Sequence, residues 1–282
     1  MFHIPVMVDE TINYLFHGDG IYIDATAGGG GHLSALLDKI EDGMILAIDQ
    51  DPEAIAHLED RIHDPRVRII NGSYRNLAKI CEGLNITNID GILFDLGVSL
   101  HQLKTGIRGF SFDRDGPLDM RMDPNLPRRA LDLILGSNPS EIYRILTDYG
   151  EEPKAKILAR AIFEHRNRLK STGDLRRIIE SKVSYRYRKK TLHRVFQALR
   201  IAVNDELNSL KEGLETAYQL LNRAGRIVCI SYHSLEDRIV KQAFKSWSDF
   251  EVLTKKVVRP GPDEIEKNPK ARSAKLRAGR RT

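Results

Sequence analysis

Short apolar runs that end on an acid recur through the first hundred residues. Ile21-Tyr22-Ile23 precedes Asp24, Met44-Ile45-Leu46-Ala47-Ile48 precedes Asp49, and Ile92-Leu93-Phe94 precedes Asp95. None of the three alternates with polar residues, so each reads as a strand buried on both faces. Between them the apolar period changes to that of a helix, as at Leu33, Leu36, Leu37 and Ile40. Strand and helix in alternation predict a parallel α/β sheet. The pattern places strands at 21–24, 44–49, 67–70, 89–95 and 226–231. Helices fall near 9–16, up to 40, 53–62 and 235–244. Asp51 before Pro52 is a cap signal for the third of these, and Ser234 with Asp237 reads as a capping box for the last.

The rhythm stops near residue 106. Four helical patterns follow without a strand, at about 129–135, 139–149, 153–166 and 172–183, and a further helix at about 195–221 leads back to the sheet. The spacing therefore predicts a discontinuous domain, 1–106 with 193–282, carrying an inserted helical domain at 107–192. The Pro-, Lys- and Arg-rich tail after Pro260 reads as a segment lying over the surface.

The loop after the first strand, Ala25-Thr26-Ala27-Gly28-Gly29-Gly30-Gly31-His32, is where ligand chemistry enters. Glycines admit positive φ and close approach of a ligand, and a helix N-terminus behind them offers free N–H groups. The dinucleotide fingerprint needs glycines at offsets 0, 2 and 5. From Gly28 the third place is Leu33, and from Gly29 it is Ser34, so both registers fail. Asp24 followed by Gly28-x-Gly30 is instead similar to the first motif of adenosylmethionine-dependent methyltransferases with a Rossmann-like fold. Asp49, 21 residues beyond Gly28, stands where an acid would take the ribose hydroxyls. Asp95 ends a strand in the same crevice. Tyr74, just beyond the third strand, is placed either to stack on an adenine or to pack in the protein.

Charge narrows the partner. The net charge is +5, but residues 255–282 hold ten Lys/Arg against three acids, and 182–200 hold seven with no acid. Two basic blocks on a slightly acidic body form a footprint for a polyanion backbone. The two cysteines, Cys81 and Cys229, lie far apart and have no metal-ligand spacing, which suits a reducing compartment. The N-terminus meets Asp9 and Glu10 too early for a signal peptide, and no apolar run approaches ~20 residues, so a cytoplasmic protein with no membrane partner is expected.

Taken together, these segments resemble the bacterial ribosomal RNA small subunit methyltransferase H family, also called MraW. The resemblance is carried by His3-x-Pro5-Val6, Tyr22-Ile23-Asp24-x-Thr26, Gly30-Gly31-His32 and Ala47-Ile48-Asp49-x-Asp51-Pro52. It continues through Asp95-Leu96-Gly97-Val98-Ser99, Arg108-Gly109-Phe110-Ser111-Phe112, Gly116-Pro117-Leu118-Asp119-Met120-Arg121-Met122-Asp123 and Ser231-x-His233-Ser234-Leu235-Glu236-Asp237, and it extends into the tail at Asn268–Arg277. It implies a Rossmann-like methyltransferase sheet with an inserted helical domain, S-adenosyl-L-methionine as cofactor, and no metal. The implied reaction is methyl transfer to the exocyclic N4 of a cytosine in small-subunit (16S) ribosomal RNA near the decoding centre, on free RNA or the assembled small subunit. Cofactor contacts implied by the motif are Gly30, Gly31, His32, Asp49, Tyr74, Asp95 and Gln102.

A cytosine amino group is a poor nucleophile because its lone pair is shared with the ring. It needs in-line positioning and an acceptor for its N–H bonds. Asp95 or the Leu96 carbonyl is the expected acceptor, with His233 a further candidate. Attack at carbon would require a thiolate, and both cysteines read as packing residues. Arg186, Arg188, Lys189 and Lys190, interleaved with Tyr185 and Tyr187, form the expected RNA-facing wall. Asp119, Arg121 and Asp123 read equally as an ion-paired hinge or as substrate contacts.

Overall fold

The computed structural model describes residues 5–282; His3, part of the first motif above, lies outside them. The chain forms two compact units, one running to Gly97 and resuming at Leu207, the other spanning Val98–Glu206.

The first unit is built on one seven-stranded sheet. It begins with α1 (Val8–Leu15), β1 (Gly20–Asp24), α2 (Gly31–Leu37), β2 (Gly43–Asp49), α3 (Pro52–Arg61), β3 (Val67–Asn71), α4 (Leu77–Gly83) and β4 (Ile89–Asp95). The acid-terminated apolar runs are thus parallel strands, paired in the order β3-β2-β1-β4. Successive residues of each strand feed opposite faces. Tyr22, Ile45, Ala47 and Leu93 enter the cluster with Leu15, Leu33, Leu36 and Leu58, while Ile23, Leu46, Ile48, Ile92 and Phe94 enter the one with Leu77 and Leu214. Asp51 caps α3 as its sequence suggests, accepting from the Glu53 N–H at 3.1 Å.

The second unit is helical: α5 (Leu100–Lys104), α6 (Ala130–Gly136), α7 (Pro139–Asp148), α8 (Ala155–His165), α9 (Thr172–Lys182) and α10 (Tyr185–Asn204). They share a core of Leu118, Ile134, Leu146, Leu158, Leu175, Val195 and Leu199. Its limits lie outside the 107–192 of the sequence reading. Val98 already buries in this core, and α10 runs unbroken to Asn204, where Asp205 at φ +48° ends it. The expected helix over 195–221 is therefore two helices. Its second half is α11 (Glu206–Leu220), which leads into β5 (Leu221–Ser231).

The chain closes with α12 (Ser234–Ser246), β6 (Phe250–Val252), α13 (Pro262–Lys267) and β7 (Lys275–Arg281). Here the sequence reading needs correction. The basic tail is no surface cover: β7 lies antiparallel between β5 and β6, and Leu276 and Ala278 are buried. Its cations are held within the unit. Arg277 and Lys275 meet Asp237, Arg280 meets Glu251, and Arg281 meets Asp249.

Candidate functional site

The order in which strands are added reverses at β1. Strands β2 and β3 lie to one side of it and β4 to the other, and ligands of open α/β sheets bind outside the carboxyl ends at such a switch point. Asp24, Asp49 and Asp95 terminate the three strands that meet there.

The loop leaving β1 is shaped by its glycines. Gly28 and Gly30 take φ of +50° and +78°, which an L side chain resists, and a methyl on Gly30 would stand 2.8 Å from Leu58 Cδ2. Gly30 thereby becomes the N-cap of α2. Gly31 lies under Pro5, whose ring carbons would meet an added methyl at 2.5 Å. His32 follows, buried, with Nε2 2.9 Å from the Val6 carbonyl. A carbonyl only accepts, so Nε2 carries the proton, and Nδ1 faces Asp95 Oδ2 at 3.7 Å.

Asp49 closes the loop from below. Its Oδ2 accepts from the Gly28 N–H and its Oδ1 from the Asp51 N–H, both at 2.8 Å. The Gln50 N–H bonds to the same carboxylate. Burial pushes this carboxyl up to about 6 against the lowering effect of those N–H donors. Asp24 is more confined, 2% exposed, and burial pushes it up to about 7 although His32 and the Thr26 N–H oppose the shift. Asp95 and Asp49 add to the rise, as expected of like charges gathered at one edge. Asp95 is anchored on its backbone by the Thr26 hydroxyl, which accepts from its N–H at 2.7 Å, and on its side chain by the Tyr232 hydroxyl, which donates to Oδ1 at 2.8 Å.

Gly30, Gly31, His32, Asp49 and Asp95 thus lie together around one edge. The other expected site residues have evident structural work. Tyr74 sets its ring edge-to-face on Phe94, 5.5 Å between centroids, beneath Gly213 of α11. Gln102 belongs to the helical unit, where it completes a capping box with Ser99 at the start of α5. His233 is the N-cap of α12, its Nδ1 accepting from the Glu236 N–H at 3.4 Å. That box sits one residue before the Ser234–Asp237 pair read from the sequence, because Asp237 is engaged by Arg277 and Lys275. Asp119 and Arg121 form a two-point ion pair, at 2.7 and 2.8 Å, within the helical unit. Asp24, Thr26 and Tyr232 were not singled out as site residues. Asp24 carried the same strand-end signal as Asp49 and Asp95, whereas Tyr232 stood at a position its motif leaves open.

In the helical unit, α10 begins with Tyr185 and Tyr187, 85% and 49% exposed. Arg188 lies 5.7 Å from the Tyr185 ring centroid, and Arg186 lies 5.8 Å from that of Tyr187. Both cysteines are buried, and burial raises the Cys81 thiol to about 11 and the Cys229 thiol further. Neither offers a nucleophile at neutral pH. No helix among the described residues is long and apolar enough to cross a membrane, and none of their His, Cys, Asp and Glu side chains form a group that could hold a metal.

The model of the MraW methylase family matches residues 1–282. The ribosomal RNA small subunit methyltransferase H of Coprothermobacter proteolyticus is 44% identical over 282 residues, covering 98% of this chain and 94% of that protein. The protein of the same name from Pseudothermotoga lettingae is 41% identical, covering 99% and 98%. Among solved structures, an rRNA methylase from Streptococcus thermophilus is similar with a TM-score of 0.44 and 12% identity, over 97% of this chain and 93% of that one. The chain belongs to the MraW methylase family.

Proposed function

We propose that this chain, an adenosylmethionine-dependent methylase, transfers a methyl group to the exocyclic N4 of a cytosine in small-subunit ribosomal RNA, near the decoding centre. The observation that carries the reading is the joint placement of the glycine loop, Asp49 and Asp95 at one sheet edge. The relatives of 41–44% identity, named for small-subunit ribosomal RNA, support the substrate class.

The residues fit the donor. The loop lacks side chains where an adenosine would approach, since Gly28 and Gly30 hold conformations that exclude them. The Asp49 carboxylate, held in place by the Gly28, Gln50 and Asp51 N–H groups, would accept from the ribose hydroxyls. Bound there, adenosylmethionine supplies an electrophilic methyl on a positively charged sulfur. Asp95, oriented by Tyr232 and Thr26, accepts from the target amino group and draws an N–H bond out of conjugation with the ring. Fixed acceptors of this kind contribute ~10²–10⁴-fold to rate, and in-line positioning contributes more. Arg186, Arg188, Lys189 and Lys190 would meet RNA phosphates, with exposed Tyr185 offering a stacking face.

The test is transfer of labelled methyl from adenosylmethionine to small-subunit RNA or small subunits, followed by digestion to nucleosides and mass spectrometry. N4-methylcytidine is expected. Label on another base, or on protein alone, overturns the assignment.

A further inference from the structure

Tyr232, which the sequence motif leaves open, is the side chain most tightly tied to Asp95. Its hydroxyl donates to Asp95 Oδ1 at 2.8 Å, while Oδ2 is turned to His32 Nδ1, 3.7 Å away. The phenol is itself fixed from three sides. Its backbone N–H donates to Glu236 Oε2 at 2.9 Å, locking it to the start of α12. Its ring lies against Gly97, where an added methyl would stand 3.4 Å from Cδ2. Lys270 Nζ lies 5.4 Å from the ring centroid, on the segment that precedes β7.

From this geometry we infer that Tyr232 is a positioning residue for methyl transfer: it occupies Oδ1 of Asp95 and so presents Oδ2, on the His32 side, to the target amino group. The inference rests on the reading of Asp95 as the acceptor. Burial and the adjacent Asp95 charge raise the phenol well above its ordinary range, so it remains a donor at any working pH. Without that donor the carboxylate is free to rotate about its last bond, and both oxygens lose a defined direction. A misplacement of about 1 Å in a reacting group costs on the order of 10²-fold in rate. Phenylalanine would fill the same volume against Gly97, so the hydroxyl can be removed while the packing stays.

The experiment compares the intact wild-type protein with Tyr232→Phe, Asp95→Ala and the double variant. Calorimetry with adenosylhomocysteine gives the donor-site Kd, and single-turnover and steady-state methyl transfer to small-subunit RNA give rate and KM. Y232F should lose roughly 10–100-fold in rate with Kd and KM within about twofold of wild type. In the D95A background Y232F should add less than about twofold, because nothing is left to position. A full rate in Y232F, a loss confined to Kd, or a loss that multiplies with that of D95A overturns the inference. If Y232F melts far below wild type, p-aminophenylalanine in place of Tyr232, which keeps the ring and a para donor, should retain at least a tenth of the rate; failure to do so also overturns it. A wild-type protein that binds adenosylhomocysteine but methylates no RNA defeats the proposed function instead, whatever the variants do.

Discussion

Replacing Asp49 by alanine isolates the donor-site claim. In the folded protein Asp49 accepts from the Gly28 and Asp51 N–H groups at 2.8 Å and from the Gln50 N–H, and the proposed ribose hydroxyls would add to these. Hydrogen bonds to a charged acceptor contribute about 1.5–3 kcal/mol each. Two such bonds at the lower figure come to about 3 kcal/mol, or roughly 150-fold in Kd. The pH dependence adds a second signature. Only the ionised carboxylate accepts from both hydroxyls, and burial places its titration at about 6. Affinity for adenosylhomocysteine should therefore be flat above pH 7 and weaken as pH falls through 6, approaching tenfold per unit. Stability runs the other way. A carboxyl whose folded value is raised above 3.8 holds its proton longer when folded, so its ionisation costs the folded state stability as pH rises from about 4 to about 6. Calorimetry from pH 5 to 8 on wild type and D49A, with thermal melts alongside, reads both effects. A Kd within threefold of wild type in D49A, with the same pH slope, would refute the placement of the ribose on Asp49.

Asp24→Asn should stabilise the protein by up to ~4 kcal/mol at pH 8 and by less than half of that, ~1–2 kcal/mol, at pH 5. Asp24 titrates at about 7 in the folded state, so the cost of its charge appears only as pH rises from about 4 through 7, and an amide oxygen can still accept from the Thr26 N–H. Melts at the two pH values check this, and equal shifts at both would contradict it. Truncation after Ala274 should abolish a cooperative melt, since it removes β7 from between two strands and strips partners from Asp237, Asp249 and Glu251. A truncated protein that melts normally and merely loses salt-dependent RNA binding would show that the segment is a surface clamp after all. Changing Arg186, Lys189 and Lys190 together to Gln should leave the melt unchanged, because all three are exposed, and lower the slope of log Kd for RNA against log salt by up to about two. An unchanged slope would place the RNA elsewhere.

The half of the fold that carries the parallel strands was legible because its signals are local. Ile21–Asp24, Met44–Asp49 and Ile92–Asp95 each combine an uninterrupted apolar run with a terminal acid, and buried parallel strands require the former. The last strand was hidden because its contacts are supplied from far away. Its Gly279 presses against the Phe250 ring, and Leu276 and Ala278 are its only large or methyl-bearing inward groups, so Lys275–Arg281 reads as a basic tail until Asp237, Glu251 and Asp249 are seen facing it. His233 and Gln102 illustrate a different limit. Both are polar residues within strong motifs, yet the structure employs each in a capping box, and a capping side chain cannot be told from a ligand-facing one by residue type. Tyr232 shows the converse, a phenol whose partner Asp95 is 137 residues away in the chain.

One sheet edge gathers the glycine loop, Asp49 and Asp95, and the proposed reaction requires the methyl donor to lie among them. A crystal structure of the protein with adenosylhomocysteine tests this placement most directly. Both ribose hydroxyls should lie within hydrogen-bonding distance of Asp49, the amino-acid portion over the Gly28–Gly31 loop, and the sulfur on the Asp95 side. A ligand bound elsewhere, or one whose ribose makes no contact with Asp49, would contradict it.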